Sequence, residues 1–124
     1  MNIYHQALID HYKHSPHRKM LKEPNLVSEQ YNPSCGDRVS FEGIIENEIV
    51  VDLAFQGSGC VISQATASLL CEQFIGKPIE AIFSFSTEDL LNLIGISLGP
   101  NRLRCALIAL IALQEGATSY KTRE

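Results

Sequence analysis

The stretch that decides the fold spans residues 38–60 and reads RVSFEGIIENEIVVDLAFQGSGC. Apolar and polar residues alternate over residues 38–45 and again over residues 49–56, which is typical of strands that bury one face. The ENE between the two segments predicts a hairpin turn. The apolar face of the second strand is predicted to contain Ile49, Val51, Leu53 and Phe55.

Helical periodicity dominates the chain after this hairpin. Gly76 is a plausible helix stop, and Ser86 with Asp89 resembles a helix-capping pair. The apolar segment RLRCALIALIALQE is too short to span a membrane and is predicted to be the core helix. The predicted helices cover residues 61–75, 78–83, 88–94 and 102–115.

The region before the hairpin combines a helix with a long connection. Residues 2–13 have the pattern of an amphipathic helix. Residues 14–34 contain three prolines and are predicted to be a polar connection without its own structure. The predicted fold class is therefore α+β, a small antiparallel sheet with helices packed on one face.

Size and composition exclude several classes of function. The 124 residues suit one domain. A net charge of −4 without a Lys/Arg cluster argues against nucleic-acid binding. We expect no membrane span and no signal peptide, because the chain has no apolar run of sufficient length and its first residues are mixed polar and apolar. A cytoplasmic protein is the expectation, and its four cysteines should then stay reduced.

Three cysteines lie where a thiolate could act as a ligand or a nucleophile. Cys35 belongs to the turn NPSCGD, Cys60 to a strand-to-helix junction, and Cys105 to the predicted first turn of the last helix. Helix N-termini favour the thiolate form, and Asp37 can point to the same side as Cys35. Three thiolates and a carboxylate would suit zinc. The residues alone leave open that these cysteines are unconnected core residues.

Other possible ligands have simpler predicted roles. Cys71 lies in the middle of an apolar helix and is predicted to be a structural thiol. The four histidines are far in sequence from every cysteine, and we expect them to be solvated or to pack rather than to bind metal. They are His5, His11, His14 and His17.

The three cysteine motifs, taken together and in this order, are a more specific signal of a protein family than any one motif alone. NPSCGD, GSGCVISQATASLL and RLRCAL, preceded by IDHYKHSPHRKML, resemble the NifU/IscU family of iron–sulfur cluster assembly proteins. The motifs are most similar to the SufU branch, since Arg104 occupies the place of a histidine found in IscU proteins. The chain lacks the insertion that typical SufU proteins have between the second and third cysteines.

This resemblance implies a complete functional hypothesis. Residues 1–124 would form a single NifU/IscU-like domain with a three-stranded antiparallel sheet. Zinc would be held by Cys35, Asp37, Cys60 and Cys105, with iron or a 2Fe–2S cluster on the same ligands as the alternative. The partner would be a SufS/IscS-like cysteine desulfurase, followed by cluster carriers or apo recipients. A SufU-type protein would be a sulfurtransferase-like acceptor using Cys35, with Cys105 competing, and an IscU-type protein would be a non-enzymatic scaffold.

Overall fold

The computed structural model describes residues 3–33 and 36–123. In chain order its elements are α1 (Ile3–His14), β1 (Leu26–Asn32), β2 (Asp37–Glu46), β3 (Ile49–Ser58), α2 (Val61–Phe74), α3 (Glu80–Phe83), α4 (Thr87–Ile94) and α5 (Pro100–Arg123). The three strands form an antiparallel meander in the order β1–β2–β3. Helices α2 and α5 pack against this sheet, and α1 packs against α2. The fold is therefore α+β, as predicted.

The predicted hairpin is confirmed, but one residue lies on the other face of the sheet. Asn47 and Glu48 have φ angles of 53° and 65°, as in the primed turns that match strand twist. The pairing shifts register after Ile44, so that Val51 is an extra residue in β3. Val51 is 46% exposed while Val50 is buried, which contradicts the predicted placement of Val51 on the buried face.

The prediction of a structureless connection over residues 14–34 was wrong. Residues Leu26–Asn32 form β1 and pair with β2 from Leu26 opposite Gly43 to Asn32 opposite Asp37. Within β1 only Leu26 is fully buried, because β1 is an edge strand with one face open. That is why its apolar signal is weak. The third strand had been implied by the family resemblance alone.

The other edge of the sheet is covered by backbone and side chains. The N–H of Phe55 donates to the carbonyl of His17 at 2.9 Å, and the N–H of Val50 donates to that of Lys77 at 2.9 Å. The guanidinium of Arg18 lies 4.8 Å from the centre of the Phe55 ring. The segment that follows α1 is thereby fixed along β3 and blocks that edge from pairing with another chain.

The helices agree with the prediction except at the two ends of the chain. The Ser86–Asp89 capping box is present, and Gly76 has a φ of +88° just after α2. In α1, Leu8 is buried but Ala7 and Tyr12 are exposed, so its buried stripe is narrower than predicted. Helix α5 has 24 residues and continues to Arg123. Its polar last turns are held by Lys121, which forms ion pairs with Glu48 and Glu80.

Within residues 3–33 and 36–123, no helix combines the length and the apolar character needed to cross a membrane.

Candidate metal centre

Asp37, Cys60 and Cys105 meet at one point although they come from three elements. One ligand atom from each lies within 4.8 Å of the other two. In the part of the chain that the structure describes, this is the only such group of three or more His, Cys, Asp or Glu side chains. The structure thus brings together three of the four residues that the sequence singled out. Cys35, the fourth, lies outside the described residues.

Asp37 is the first residue of β2 and is buried by its position. Gly36, with a φ of +75°, precedes it and donates its N–H to the carbonyl of Asn32 at 2.8 Å. The Asp37 carboxylate is 1% exposed and accepts a hydrogen bond from the N–H of Cys60 at 2.8 Å. Its second oxygen is 3.6 Å from the sulfur of Cys60. A buried carboxylate held this way has a fixed direction toward the thiols.

Cys60 is the N-cap of α2, as its place at the strand-to-helix junction predicted. Its Sγ accepts from the N–H of Ser63 at 3.4 Å. Gly59, with a φ of +133°, makes the approach to Asp37 possible, since a Cβ there would lie 2.0 Å from Asp37 Oδ1. The absence of a side chain at this glycine is what lets the carboxylate come so close.

Cys105 is placed one turn deeper in its helix than predicted. Because α5 begins at Pro100, Cys105 lies in the second turn rather than the first. The helix N-terminus therefore favours its thiolate less than we expected. Burial raises the pKa of the Cys105 thiol, and hydrogen bonds with Asp37 and Cys60 raise it further. Without a cation, the Asp37 carboxylate and the Cys60 thiol beside it oppose the ionisation of Cys105.

Cys71 is buried inside the core, as predicted. It is 0% exposed, and burial raises the pKa of its thiol far above the ordinary value. A thiol that stays protonated is neither a good ligand nor a nucleophile. Its separation from the site is a matter of helix geometry, since it lies eleven residues after Cys60, near the other end of α2.

The family follows from a comparison that spans nearly the whole chain. The sequence profile of the family described as "NifU-like N terminal domain" matches residues 3–124. The chain belongs to this family. It is a family of iron–sulfur cluster assembly proteins, which confirms the resemblance drawn from the cysteine motifs.

Individual relatives agree with this assignment. The chain is 34% identical over 131 residues to the zinc-dependent sulfurtransferase SufU of Bacillus subtilis, covering 92% of this chain and 88% of that protein. It is 40% identical over 86 residues to the iron–sulfur cluster assembly scaffold protein IscU of Thermotoga maritima, covering 69% and 61%.

A solved structure supports the fold. The crystal structure of a protein assigned as an iron–sulfur cluster assembly scaffold of the SUF system, from Fervidobacterium islandicum, has a TM-score of 0.80 at 24% identity. The match covers 90% of this chain and 94% of that one. The core architecture of the NifU-like domain is therefore shared despite the low identity.

Two residues of this NifU-like domain support the site and were missed from the sequence. Gln64 is 1% exposed and donates to the carbonyl of Arg38 at 3.2 Å, next to Asp37. Arg18 donates to the carbonyl of Gly57 at 3.1 Å and reaches the Gln64 amide oxygen at 3.4 Å. Both side chains hold in place the turn of residues 57–59, which contains Gly57 and Gly59 and directly precedes Cys60; we call it the glycine turn. A glutamine within an apolar helix was the available signal, because a buried amide needs partners.

A concave cavity of about 610 Å³ opens beside Cys60 and Cys105. Its walls are largely apolar and come from α1, the start of α2 and the start of α5. Val61 and Ile96 line it together with Cys60 and Cys105, and Asn101 and Arg102 are its polar lining residues near Cys105 in sequence. Cys60 and Cys105 therefore border an accessible cavity, whereas Cys71 is enclosed in the core.

Proposed function

We propose that this protein is a zinc-bound sulfur acceptor that takes persulfide sulfur from a SufS/IscS-like cysteine desulfurase during iron–sulfur cluster assembly. The observation that carries the proposal is the convergence of Asp37, Cys60 and Cys105 on one point. We place the activity in the cytoplasm and assign it to a single domain of residues 1–124. Downstream cluster carriers or apo recipients would use the sulfur once it is mobilised.

The residues at this point fit a zinc ion. Two thiols and a carboxylate are donors that zinc accepts, and four-coordinate zinc needs one more. On the family resemblance Cys35 is the fourth ligand, two residues before Asp37 in the sequence. When bound, zinc keeps the thiols that hold it deprotonated at neutral pH. Asp37 stays directed at the site by its hydrogen bond from the Cys60 N–H.

The proposed chemistry is a thiol–persulfide exchange. The acceptor thiolate attacks the outer sulfur of the desulfurase persulfide, a new S–S bond forms, and the old S–S bond breaks. The desulfurase cysteine leaves as a thiolate with the electron pair of that bond. The outer sulfur keeps its proton, so no external oxidant or reductant is needed.

We assign Cys35 as the acceptor and Cys105 as the competing candidate. Cys105 is only 9% exposed, and burial raises its thiol pKa, so that it is a poor nucleophile until its surroundings change. The sequence around Cys35, with Pro33 two residues before it and Gly36 directly after it, predicts a turn rather than a helix. A loop thiol can reach a partner without the unwinding of a helical turn.

The second candidate function is a scaffold on which a 2Fe–2S cluster is assembled as cargo. It is favoured by the 40% identity to a protein named as an IscU scaffold, and by the suitability of the same thiolates for iron. Arg104, where scaffold members have histidine, favours the sulfur acceptor. The two functions differ in whether the protein accelerates a desulfurase.

Mixing the protein with a desulfurase and free cysteine, followed by mass spectrometry, tests both candidates. We expect one added sulfur atom, first on Cys35, together with a faster desulfurase turnover. Cys35→Ser should abolish both effects, because a serine hydroxyl is not ionised at neutral pH. Cys71→Ser is the matched control, since Cys71 is buried away from the site.

The outcomes separate the assignments. Sulfur found only on Cys105 would show that the acceptor was wrongly chosen. No labelled cysteine and no acceleration, with a stable cluster formed from iron and sulfide, would replace the sulfur acceptor with the scaffold.

A further inference from the structure

A second group of metal-ligating side chains lies at the end of α2 that is opposite to Cys60. His11 at the end of α1, His17 in the segment that follows, and Glu72 near the end of α2 converge there. His11 Nε2 is 3.8 Å from Glu72 Oε1, and His17 Nε2 is 3.7 Å from Glu72 Oε2. Both distances are too long for a hydrogen bond. We call these three side chains the histidine cluster.

The orientation of His11 is fixed from behind by a buried hydroxyl. Its Nδ1 lies 2.7 Å from Ser68 Oγ, and Ser68 is 0% exposed. Ser68 Oγ is 2.6 Å from Ser15 Oγ, which also accepts from the N–H of His17 at 3.1 Å. The hydroxyls can donate in either direction along this chain, and His11 Nδ1 donates to Ser68 Oγ when it carries the ring proton. The Nε2 lone pair is then directed at Glu72, and an outer partner on the far nitrogen is the usual arrangement of a metal-binding histidine.

Each imidazole lies near the carboxylate spacing that a small divalent ion requires, although the three donors are not all within 4.8 Å of one another as those of the cysteine site are. Neighbouring donors around tetrahedral zinc lie roughly 3.3 Å apart, given metal–ligand bonds of about 2.0–2.2 Å. The two imidazole–carboxylate distances exceed this by about half an ångström. The Glu72 side chain is 51% exposed, so it can rotate to close the gap, whereas both imidazoles are held at 15% exposure.

The surroundings supply further oxygen and nitrogen donors. A cavity of about 190 Å³ at this place is lined by His11 and Glu72, and Asp10, His14 and Ser15 complete its polar wall. All four histidines were predicted to be solvated or to pack, yet His11, His14 and His17 gather at or beside Glu72. Two imidazoles and one carboxylate are a donor set for borderline divalent ions such as Zn²⁺, Co²⁺ or Fe²⁺.

We propose that the histidine cluster is a second divalent transition-metal site, separate from the cysteines and free of thiolate ligands. An ion held there would tie α1 and the segment after it to α2. That segment includes Arg18, which supports the glycine turn before Cys60. The second site would therefore stiffen the support of the first without sharing a ligand with it.

Cobalt titration of the full chain, after loading with one equivalent of zinc, tests this proposal. We expect one further equivalent of Co²⁺ to bind, with d–d absorption but no thiolate-to-metal charge-transfer band. His17→Asn and Glu72→Gln should each weaken this binding by at least about tenfold, the lower end of what even the outer partners of metal ligands contribute. Glu88→Gln, an exposed glutamate in the first turn of α4, is the matched control and should change nothing.

A measurement on the unaltered protein guards against variants that fail to fold. Bound Co²⁺ should protect His11 and His17, but not His5, from carbethoxylation mapped by mass spectrometry. The proposal is overturned if no second equivalent binds, if binding is equal in both variants and the parent, or if the added ion produces a thiolate band. None of these results would bear on sulfur transfer, because the cysteine site is filled throughout.

Discussion

Replacing Gly59 with alanine isolates the role of close packing between the glycine turn and Asp37. The new Cβ would lie 2.0 Å from Asp37 Oδ1 and 2.9 Å from Asp37 Cα, so the carboxylate or the turn must move. Backbone strain at a φ of +133° costs roughly 1–3 kcal/mol. Loss of the hydrogen bond from the Cys60 N–H to the carboxylate costs roughly 1.5–3 kcal/mol more. Gly59→Ala should therefore lower the free energy of unfolding by roughly 2.5–6 kcal/mol.

Gly76→Ala is the matched control for this change. Gly76 also has a positive φ, of +88°, but a Cβ there would meet nothing within 4 Å. Its cost should be the strain alone, roughly 1–2 kcal/mol, and its metal content should equal that of the parent. Urea unfolding of chelator-treated protein gives the free energies, and elemental analysis of protein purified without chelators gives the metal. If Gly59→Ala retains full metal and loses no more stability than Gly76→Ala, the inferred packing of the turn on Asp37 is wrong.

Three further changes test the site and the core separately. Cys60→Ser should bind zinc far more weakly while α2 remains intact, because serine is a good N-cap; unchanged affinity in a competition titration would contradict the ligand assignment. Asp37→Asn should lower the pKa of Cys105 toward its ordinary value in metal-free protein, because it removes a charge that raises that pKa; the pH dependence of Cys105 alkylation measures this, and an unshifted profile would contradict it. Cys71→Ala should cost roughly 1 kcal/mol at neutral pH and leave metal content unchanged. Burial raises the folded-state pKa of Cys71, so the parent loses stability as pH rises above about 8.5, by about 2 kcal/mol at pH 10. At pH 10 the variant should therefore be at least as stable as the parent. If urea unfolding gives the same difference in unfolding free energy between variant and parent at neutral pH and at pH 10, burial of the Cys71 thiol is not the cause.

The sequence was sufficient to predict the structure at places where a local signal and the tertiary environment agree. The hairpin, the capping box at Ser86 and the stop at Gly76 are set by neighbouring residues, and the structure has all three. Cys60 at the N-cap of α2 followed from the same kind of signal. The motif order pointed to Asp37, Cys60 and Cys105 before any geometry was known, although only the fold shows that their donor atoms are within 4.8 Å of one another.

The sequence was insufficient where long-range contacts decide. Strand β1 exists because its backbone pairs with β2 and because Leu26 is buried beneath α5, and α5 begins more than sixty residues further along the chain. Val51 changed faces because of a register shift that the alternation of residues does not reveal. The last turns of α5 are polar, and the helix was predicted to end at residue 115. The helix continues because Lys121 joins these turns to Glu48 and Glu80. In each case tertiary contacts outweighed the local pattern.

Helix α2 connects these observations, because its polar residues recur at every fourth position. Cys60, Gln64, Ser68 and Glu72 follow one another at that spacing, which places them along one face of a helix. Cys60 meets Asp37, Gln64 meets Arg18 and Arg38, Ser68 meets His11 and Ser15, and Glu72 meets His11 and His17. Burying polar groups in an otherwise apolar helix is unfavourable unless each has a partner.

Those partners come mostly from residues 11–18, so the polar stripe of α2 determines where that segment lies. The same segment covers the edge of β3 through His17 and Arg18. Position along α2 therefore separates two kinds of chemistry, with thiols and a carboxylate at its first turn and imidazoles with a carboxylate at its last. Since hydrogen bonds from Gln64 and Ser68 and ion pairs from Glu72 all reach this segment, a change at one end of α2 can reach the other by moving the segment that both ends hold.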